Sequence, residues 1–147
     1  MWSKAQICRL DLENQLLARE LPQFRLYRTS YDAYVSGWQS TASRSRDYQL
    51  KLVLGSRFPD EMPQLYVVSP RTLSKYDGGG TVNAEGTSHS FHTLSNGPDG
   101  CVQICHMKPG VWNPACTCVA VLTKGIIWLE AYDAHLKTGR DLCDFCK

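Results

Sequence analysis

Residues Gly100 to Pro114 read GCVQICHMKPGVWNP. A turn at Pro98-Asp99-Gly100 runs into a short apolar stretch that delivers Cys105, with His106 directly after it. A second turn forms around Pro109 and Gly110, and Trp112-Asn113-Pro114 then opens a long apolar helix. A thiol held between two turns, ahead of a helix, sits where a nucleophile can remain accessible. The plain alternative is a structural cysteine, since free Cys is among the most buried residue types.

Beyond Pro114 the helical period is clear. Val119, Leu122, Ile126, Leu129 and Leu136 share a face, with Val121, Ile127 and Trp128 broadening it. The helix is expected to be buried and to end near Gly139, a suitable C-terminal glycine. The tail RDLCDFCK holds the CxxC pair Cys143 and Cys146. On the other side of the opening stretch, Arg71 to Gly100 is irregular and rich in turn signals, DGGG from Asp77 and NGPDG from Asn96. A loop of that length in a compact domain is functional or disordered. His89 and His92 lie in it.

Further upstream the period drops to two. Phe24 and Leu26 alternate with Gln23 and Arg25, and Tyr31, Ala33 and Val35 with Asp32, Tyr34 and Ser36. Tyr48, Leu50, Leu52 and Leu54 point one way while Gln49, Lys51 and Val53 point the other. The polar run Ser40 to Asp47 reads as a hairpin loop, and RFPDEMP (Arg57 to Pro63) as a proline-bracketed turn before a strand from Gln64 to Val68. Residues 3 to 21 carry Ile7, Leu10, Leu17 and Leu21 at helical spacing, with Ser3 as cap and Pro22 as stop. One helix followed by four strands at hairpin spacing predicts an α+β chain: an antiparallel four-stranded meander with a helix on one face.

Bulk properties narrow the function classes. At 147 residues with 43% hydrophobic and 20% charged side chains, the chain reads as one ordinary globular domain spanning 1–147. A net charge of +2 with no Lys/Arg block longer than two residues argues against a nucleic-acid partner. No run of about 18 apolar residues exists, which argues against a membrane partner. The opening MWSKAQICRLDLENQ places charges where a signal peptide needs an apolar centre, so a cytoplasmic location is expected. Seven cysteines, an odd number, read as reduced thiols rather than a disulfide framework.

The order helix, four-strand meander, proline-bracketed turn, long loop, cysteine, Trp-x-Pro, helix resembles the ubiquitin-conjugating (E2, UBC) fold over nearly the whole chain, from Lys4 to Gly139. The match is carried by Phe58-Pro59, Met62-Pro63, the strand Leu65-Tyr66-Val67-Val68, His92, Asp99-Gly100, Ile104-Cys105, and Trp112-Asn113-Pro114 seven residues on. The chain looks most like the bacterial E2-like proteins, with their G-x-h-C segment, Trp-x-Pro, and a longer helix bearing Trp-Leu-Glu and Thr-Gly, here Trp128-Leu129-Glu130 and Thr138-Gly139. The resemblance implies a UBC-like fold with an active-site loop and a long C-terminal helix. It also implies three partners: an E1-like adenylating enzyme, a ubiquitin-like modifier and a target protein, in operons of which several act against phage. Two features depart from eukaryotic members. The His-Pro-Asn tripeptide is absent, since Thr93-Leu94 follows His92 and the nearest asparagine, Asn96, stands nine residues before Cys105. The two further C-terminal helices of those enzymes have no counterpart.

Under that resemblance Cys105 is the acyl-carrying nucleophile, taking a thioester from the E1-like enzyme and passing it to an acceptor amine. Both steps pass through a tetrahedral intermediate with a negative oxygen, so the chemistry asks for a thiol, donors to that oxygen, and a route to deprotonate the acceptor. Thiol exchange works best at moderate thiol pKa, so an acidic cysteine is not required. His92, Asn96 and His106 are the candidate oxyanion donors; a brace for the loop is the plain alternative for His92, and an exposed loop histidine for His106. Asp133 and His135 are candidates for acceptor activation, His because it titrates near neutrality; a polar helix face is their plain alternative. No cofactor or metal is expected.

Two other classes remain. An inactive UBC-like or RWD-like binding module would share the fold without the chemistry, although such modules lack the cysteine that Cys105 supplies. A zinc module would draw on Cys101 and Cys105, Cys116 and Cys118, and Cys143 and Cys146. Only the last pair has the common two-residue gap, and residues two apart on a helix point some 200° apart. A thioredoxin-like role for that CxxC would need a helix N-terminus after a strand, which the tail does not offer.

Overall fold

The computed structural model describes residues 1–44 and 46–145. The first helix, α1, spans Lys4–Glu20 and starts at a capping box: Ser3 Oγ accepts the Gln6 N–H at 3.1 Å and Gln6 Oε1 accepts the Ser3 N–H at 2.9 Å. Leu10 and Leu17 are fully buried, as the spacing predicts, but Ile7 is 40% exposed. The inward place between Leu10 and Leu17 belongs to Glu13, which has no exposed surface at all.

Four strands follow: β1 (Phe24–Arg28), β2 (Ala33–Ser40), β3 (Asp47–Leu54) and β4 (Gln64–Ser69). Each pairs antiparallel with the next, with Leu26 opposite Val35, Val35 opposite Leu52 and Leu52 opposite Leu65. The expected meander is present, but the sheet does not stop at four strands. Two short strands, β5 (Thr93–Leu94) and β6 (Val102–Ile104), extend it to six in the order β1-β2-β3-β4-β6-β5. They escape the period-two reading because Val102, Gln103 and Ile104 are all buried, so no apolar-polar alternation marks them.

The second helix, α2, spans Cys118–Thr138 and is capped by Thr117, whose hydroxyl accepts the Ala120 N–H. It starts four residues later than Pro114: Pro109–Val111 forms a short 3-10 turn, and the segment from Trp112 to Thr117 is non-helical. Its buried stripe runs through Cys118, Val121, Leu122, Gly125, Trp128, Leu129 and Tyr132. Of the predicted face Leu122 and Leu129 are fully buried but Val119, Ile126 and Leu136 only partly, so the face is turned toward Val121 and Trp128, with Ile127 exposed. Gly125 explains the rotation. A Cβ there would stand 2.8 Å from Leu65 Cδ2 and 3.3 Å from Leu50 Cδ1, so glycine lets the helix lie directly on the sheet. Gly139, in the left-handed conformation, closes the helix as expected.

The inward side chains of the sheet and both helices form one core, while outward positions such as Tyr27 and Trp38 stay exposed. Of the stretch from Arg71 to Gly100 read as irregular, Thr93–Leu94 forms β5 and the part before it is held against α2. Leu73, Val82 and Phe91 are buried, Trp128 donates its indole N–H to the Phe91 carbonyl at 2.8 Å, and Tyr132 donates its hydroxyl to the Ser74 carbonyl at 2.6 Å. Among the described residues no helix is long and apolar enough to cross a membrane.

Candidate active site

β6 ends at Ile104, so Cys105 is the first residue past the sheet, delivered at a fixed place by the pairing of β6 with both β4 and β5. Its N–H donates to the His92 carbonyl at 2.9 Å, which extends the β5–β6 pairing by one step. The side chain is half-buried, and Sγ lies 3.7 Å from the Met107 carbonyl. It lines a cleft of about 670 Å³. The wall on one side comes from Thr93, Leu94 and Ile104, and on the other from Lys124, Ile127 and Trp128 of α2. That volume is in the usual range for binding clefts. The stripe of α2 residues at i, i+3 and i+4 was available to sequence reasoning, but Lys124 was not singled out.

His106 also lines the cleft. It is buried, not exposed, and its Nε2 lies 2.8 Å from the Pro63 carbonyl. A carbonyl only accepts, so Nε2 carries the proton and Nδ1 is a bare acceptor, buried and without a hydrogen-bond partner among the described residues. Burial holds the imidazole's pKa below its ordinary value, with Lys124 adding to the same effect against the Pro63 bond. The ring meets Trp112 edge-on at 6.4 Å, and Trp112 donates its indole N–H to the Pro59 carbonyl at 2.8 Å. Together these two bonds tie the proline-bracketed turn Arg57 to Pro63 to the segment that follows Cys105.

His92 also lines the cleft. It adopts a left-handed backbone, φ +50°, a conformation in which His is over-represented among non-glycine residues. Its ring stands 5.9 Å from His89, and burial, then His89, lower its pKa.

The remaining candidates are placed elsewhere. Asn96 is exposed and donates Nδ2 to the Asn83 carbonyl at 2.7 Å; it does not line the cleft. Asp133 is buried against the β2–β3 connection, accepting from Ser43 Oγ at 2.7 Å and pairing with Lys137 at 3.3 Å. His135 is buried with both ring nitrogens engaged: Nε2 accepts the Tyr76 N–H at 3.2 Å, which leaves Nδ1 to donate to the Arg140 carbonyl at 2.7 Å. Neither lines the cleft. At about 100° and about 1.5 Å per residue, Asp133 lies about 140° around α2 from Trp128, whereas His135 shares the Trp128 direction but sits about 10 Å further along the helix, where Tyr76 and Arg140 engage it.

The other thiols differ from Cys105. Cys101 and Cys118 are buried, and burial pushes both thiols up in pKa, Cys118 well up with Glu13 adding to it. Cys8 is exposed on α1, and Cys116 and Cys143 are partly buried; none of these five lines the cleft. Among the described residues no three His, Cys, Asp or Glu side chains gather as a metal site; Cys146 lies outside the described residues.

Comparison with protein-family models, with curated proteins and with solved structures finds no match.

Proposed function

We propose that the chain is a cytoplasmic E2-like conjugating enzyme of UBC-like fold that carries a ubiquitin-like modifier as a thioester on Cys105. The observation that carries the reading is the setting of that thiol. It is the one described cysteine side chain that lines the cleft, and the sheet edge fixes its backbone through the His92 carbonyl. An acyl carrier needs an accessible sulfur on a rigid mount, and Cys105 has both.

In the charging step Cys105 Sγ attacks the thioester carbonyl held on the E1-like enzyme. The Sγ–carbon bond forms, the donor's carbon–sulfur bond breaks, and the donor thiol leaves with the proton that Cys105 gave up. The transient oxyanion lies in a cleft whose charged lining residues are Lys108 and Lys124, so the local field favours negative charge. Transfer to a target amine repeats the exchange with nitrogen as nucleophile. His106, bonded to Pro63, fixes the backbone direction just after Cys105. It is a positioning residue in this scheme.

Incubation with the cognate E1-like enzyme, ATP and modifier tests the proposal. An adduct cleaved by reducing agent is expected; Cys105→Ser should turn it into a reductant-resistant ester or abolish it, and Cys101→Ser should leave it intact. An adduct lost with Cys101→Ser and kept with Cys105→Ser moves the site by four residues. No adduct under any condition makes the chain a binding module without the chemistry.

A further inference from the structure

The cleft around Cys105 carries charge of one sign. Lys108, from the turn after the cysteine, and Lys124, from α2, both line it with exposed side chains, and no Asp or Glu is among the described residues that do. The carboxylates of α2 are committed elsewhere: Asp133 to Ser43 and Lys137, Glu130 to the Ala42 N–H. Leu94, Ile104, Met107, Ile127 and Trp128 supply an apolar part of the same lining, beside uncharged polar groups such as Thr93 and three histidines. An extended peptide fits such a trough, with apolar side chains resting on its floor and negative groups at its cationic rim.

We infer that the cleft recognises the C-terminal peptide tail of the acyl donor as an acidic, partly apolar segment, with Asp or Glu placed within a few residues of the acyl carbon to meet Lys108 and Lys124. This inference deepens the acyl-carrier reading and rests on it. Rim charges act mainly on encounter rate and on selection against like charge, so the signature is a rate preference that salt erodes. A basic tail meets two ammonium groups with no counter-charge in the lining and is disfavoured.

Chemical charging of the full chain separates this inference from the identity of the E1 partner. Two short peptide thioesters are offered, identical except for Glu or Lys near the C-terminal residue. Exchange onto the protein is followed by intact mass, and the Cys105-dependent part is taken as the difference from Cys105→Ser. Wild type should load the acidic peptide about tenfold faster at low ionic strength, a steering effect of ordinary size that fades toward parity in high salt. Lys108→Glu with Lys124→Glu should invert the preference, and Lys108→Gln with Lys124→Gln should flatten it; both positions are exposed, and thermal melts confirm folding. Equal rates in wild type, or a preference untouched by either double substitution, overturn the inference. If Cys105 never takes a peptide, it and the carrier reading fall together. If the peptide preference holds while the E1-like enzyme cannot charge Cys105, the carrier reading fails and the cleft's selectivity stands.

Discussion

Glu13 of α1 accepts the backbone N–H of Cys118, the first residue of α2, at 3.1 Å through Oε1. A carboxylate with no exposed surface is thereby spent on an orphan N–H at a helix N-terminus, where the helix dipole favours negative charge. Arg9 completes the arrangement: its Nε pairs with Glu13 at 3.2 Å, while its other nitrogens donate to the carbonyls of Pro114 and Cys116. The non-helical segment between Trp112 and α2 is thus held from α1, and with it the helix that forms one wall of the Cys105 cleft.

Removing that carboxylate leaves Arg9 Nε and the Cys118 N–H without their partner, although the other Arg9 nitrogens keep the Pro114 and Cys116 carbonyls. Glu13→Ala should destabilise the chain by about 3 kcal/mol, the usual cost of breaking a buried pair from one side. Glu13→Gln keeps an acceptor for Cys118 and should cost less than half as much. Urea unfolding midpoints decide this, and equal losses for the two variants would show that packing alone accounts for Glu13.

That clamp also marks the limit of what the sequence discloses. Tyr48, Leu50, Leu52 and Leu54 announce β3 because one face is buried and the other is not, and Ser3 with Pro22 brackets α1 to within a residue. Glu13 is hidden because a charge on an apolar stripe reads as a break in it; only the partner, 105 residues away, explains it. β5, of two residues, is too short to show a period, and β6 is too short and too uniformly buried. Cys105 was legible through its flanking turns and Trp112. Its cleft was not, because Lys124, Ile127 and Trp128 come from a helix whose rotation is set by the contact of Gly125 with Leu65 and Leu50.

Thiol protection follows directly from burial. In native protein near pH 7.5, iodoacetamide should label Cys8 and Cys105 first, and leave Cys118 and Cys101 untouched until the chain unfolds. Burial raises both protected thiols, which suppresses the thiolate that does the attacking. Peptide mapping of a time course reads the order. Labelling of Cys118 at the pace of Cys105 would mean that the core beneath α2 opens far more easily than its packing implies.

His106 gives stability a defined pH dependence. Burial depresses its folded-state pKa below the unfolded value of about 6.5, so below that value the unfolded chain binds the proton and the folded chain does not. Stability from this group is fully present above pH 6.5 and is lost as the pH falls from there through the folded pKa. The slope from one such group cannot exceed the one-proton ceiling of about 1.4 kcal/mol per pH unit. His92, also depressed, works in the same direction. His106→Gln can still donate to Pro63 from its amide and should make the urea midpoint less sensitive between pH 7 and 5; an unchanged slope would assign the sensitivity to other groups.

Acceptor chemistry separates the cleft from the α2 residues Asp133 and His135. No carboxylate is among the described residues lining the cleft, and Asp133 and His135 spend their polar atoms on Ser43, Lys137, Tyr76 and Arg140. Unless an imidazole of the lining, from His89, His92 or His106, takes its proton, a lysine acceptor has to arrive already deprotonated, a form that is about 1 part in 2,500 at pH 7 for a pKa near 10.4. Discharge of acylated Cys105 to free lysine should rise about tenfold per pH unit between pH 7 and 9. Asp133→Asn should leave both the slope and the rate unchanged at equal folded fraction. His135→Ala should cost about 2–3 kcal/mol of stability by orphaning the Arg140 carbonyl and the Tyr76 N–H, again without changing discharge by the folded protein. A drop of tenfold or more in lysine discharge with Asp133→Asn, in protein that is charged normally, would return that carboxylate to the role of acceptor base.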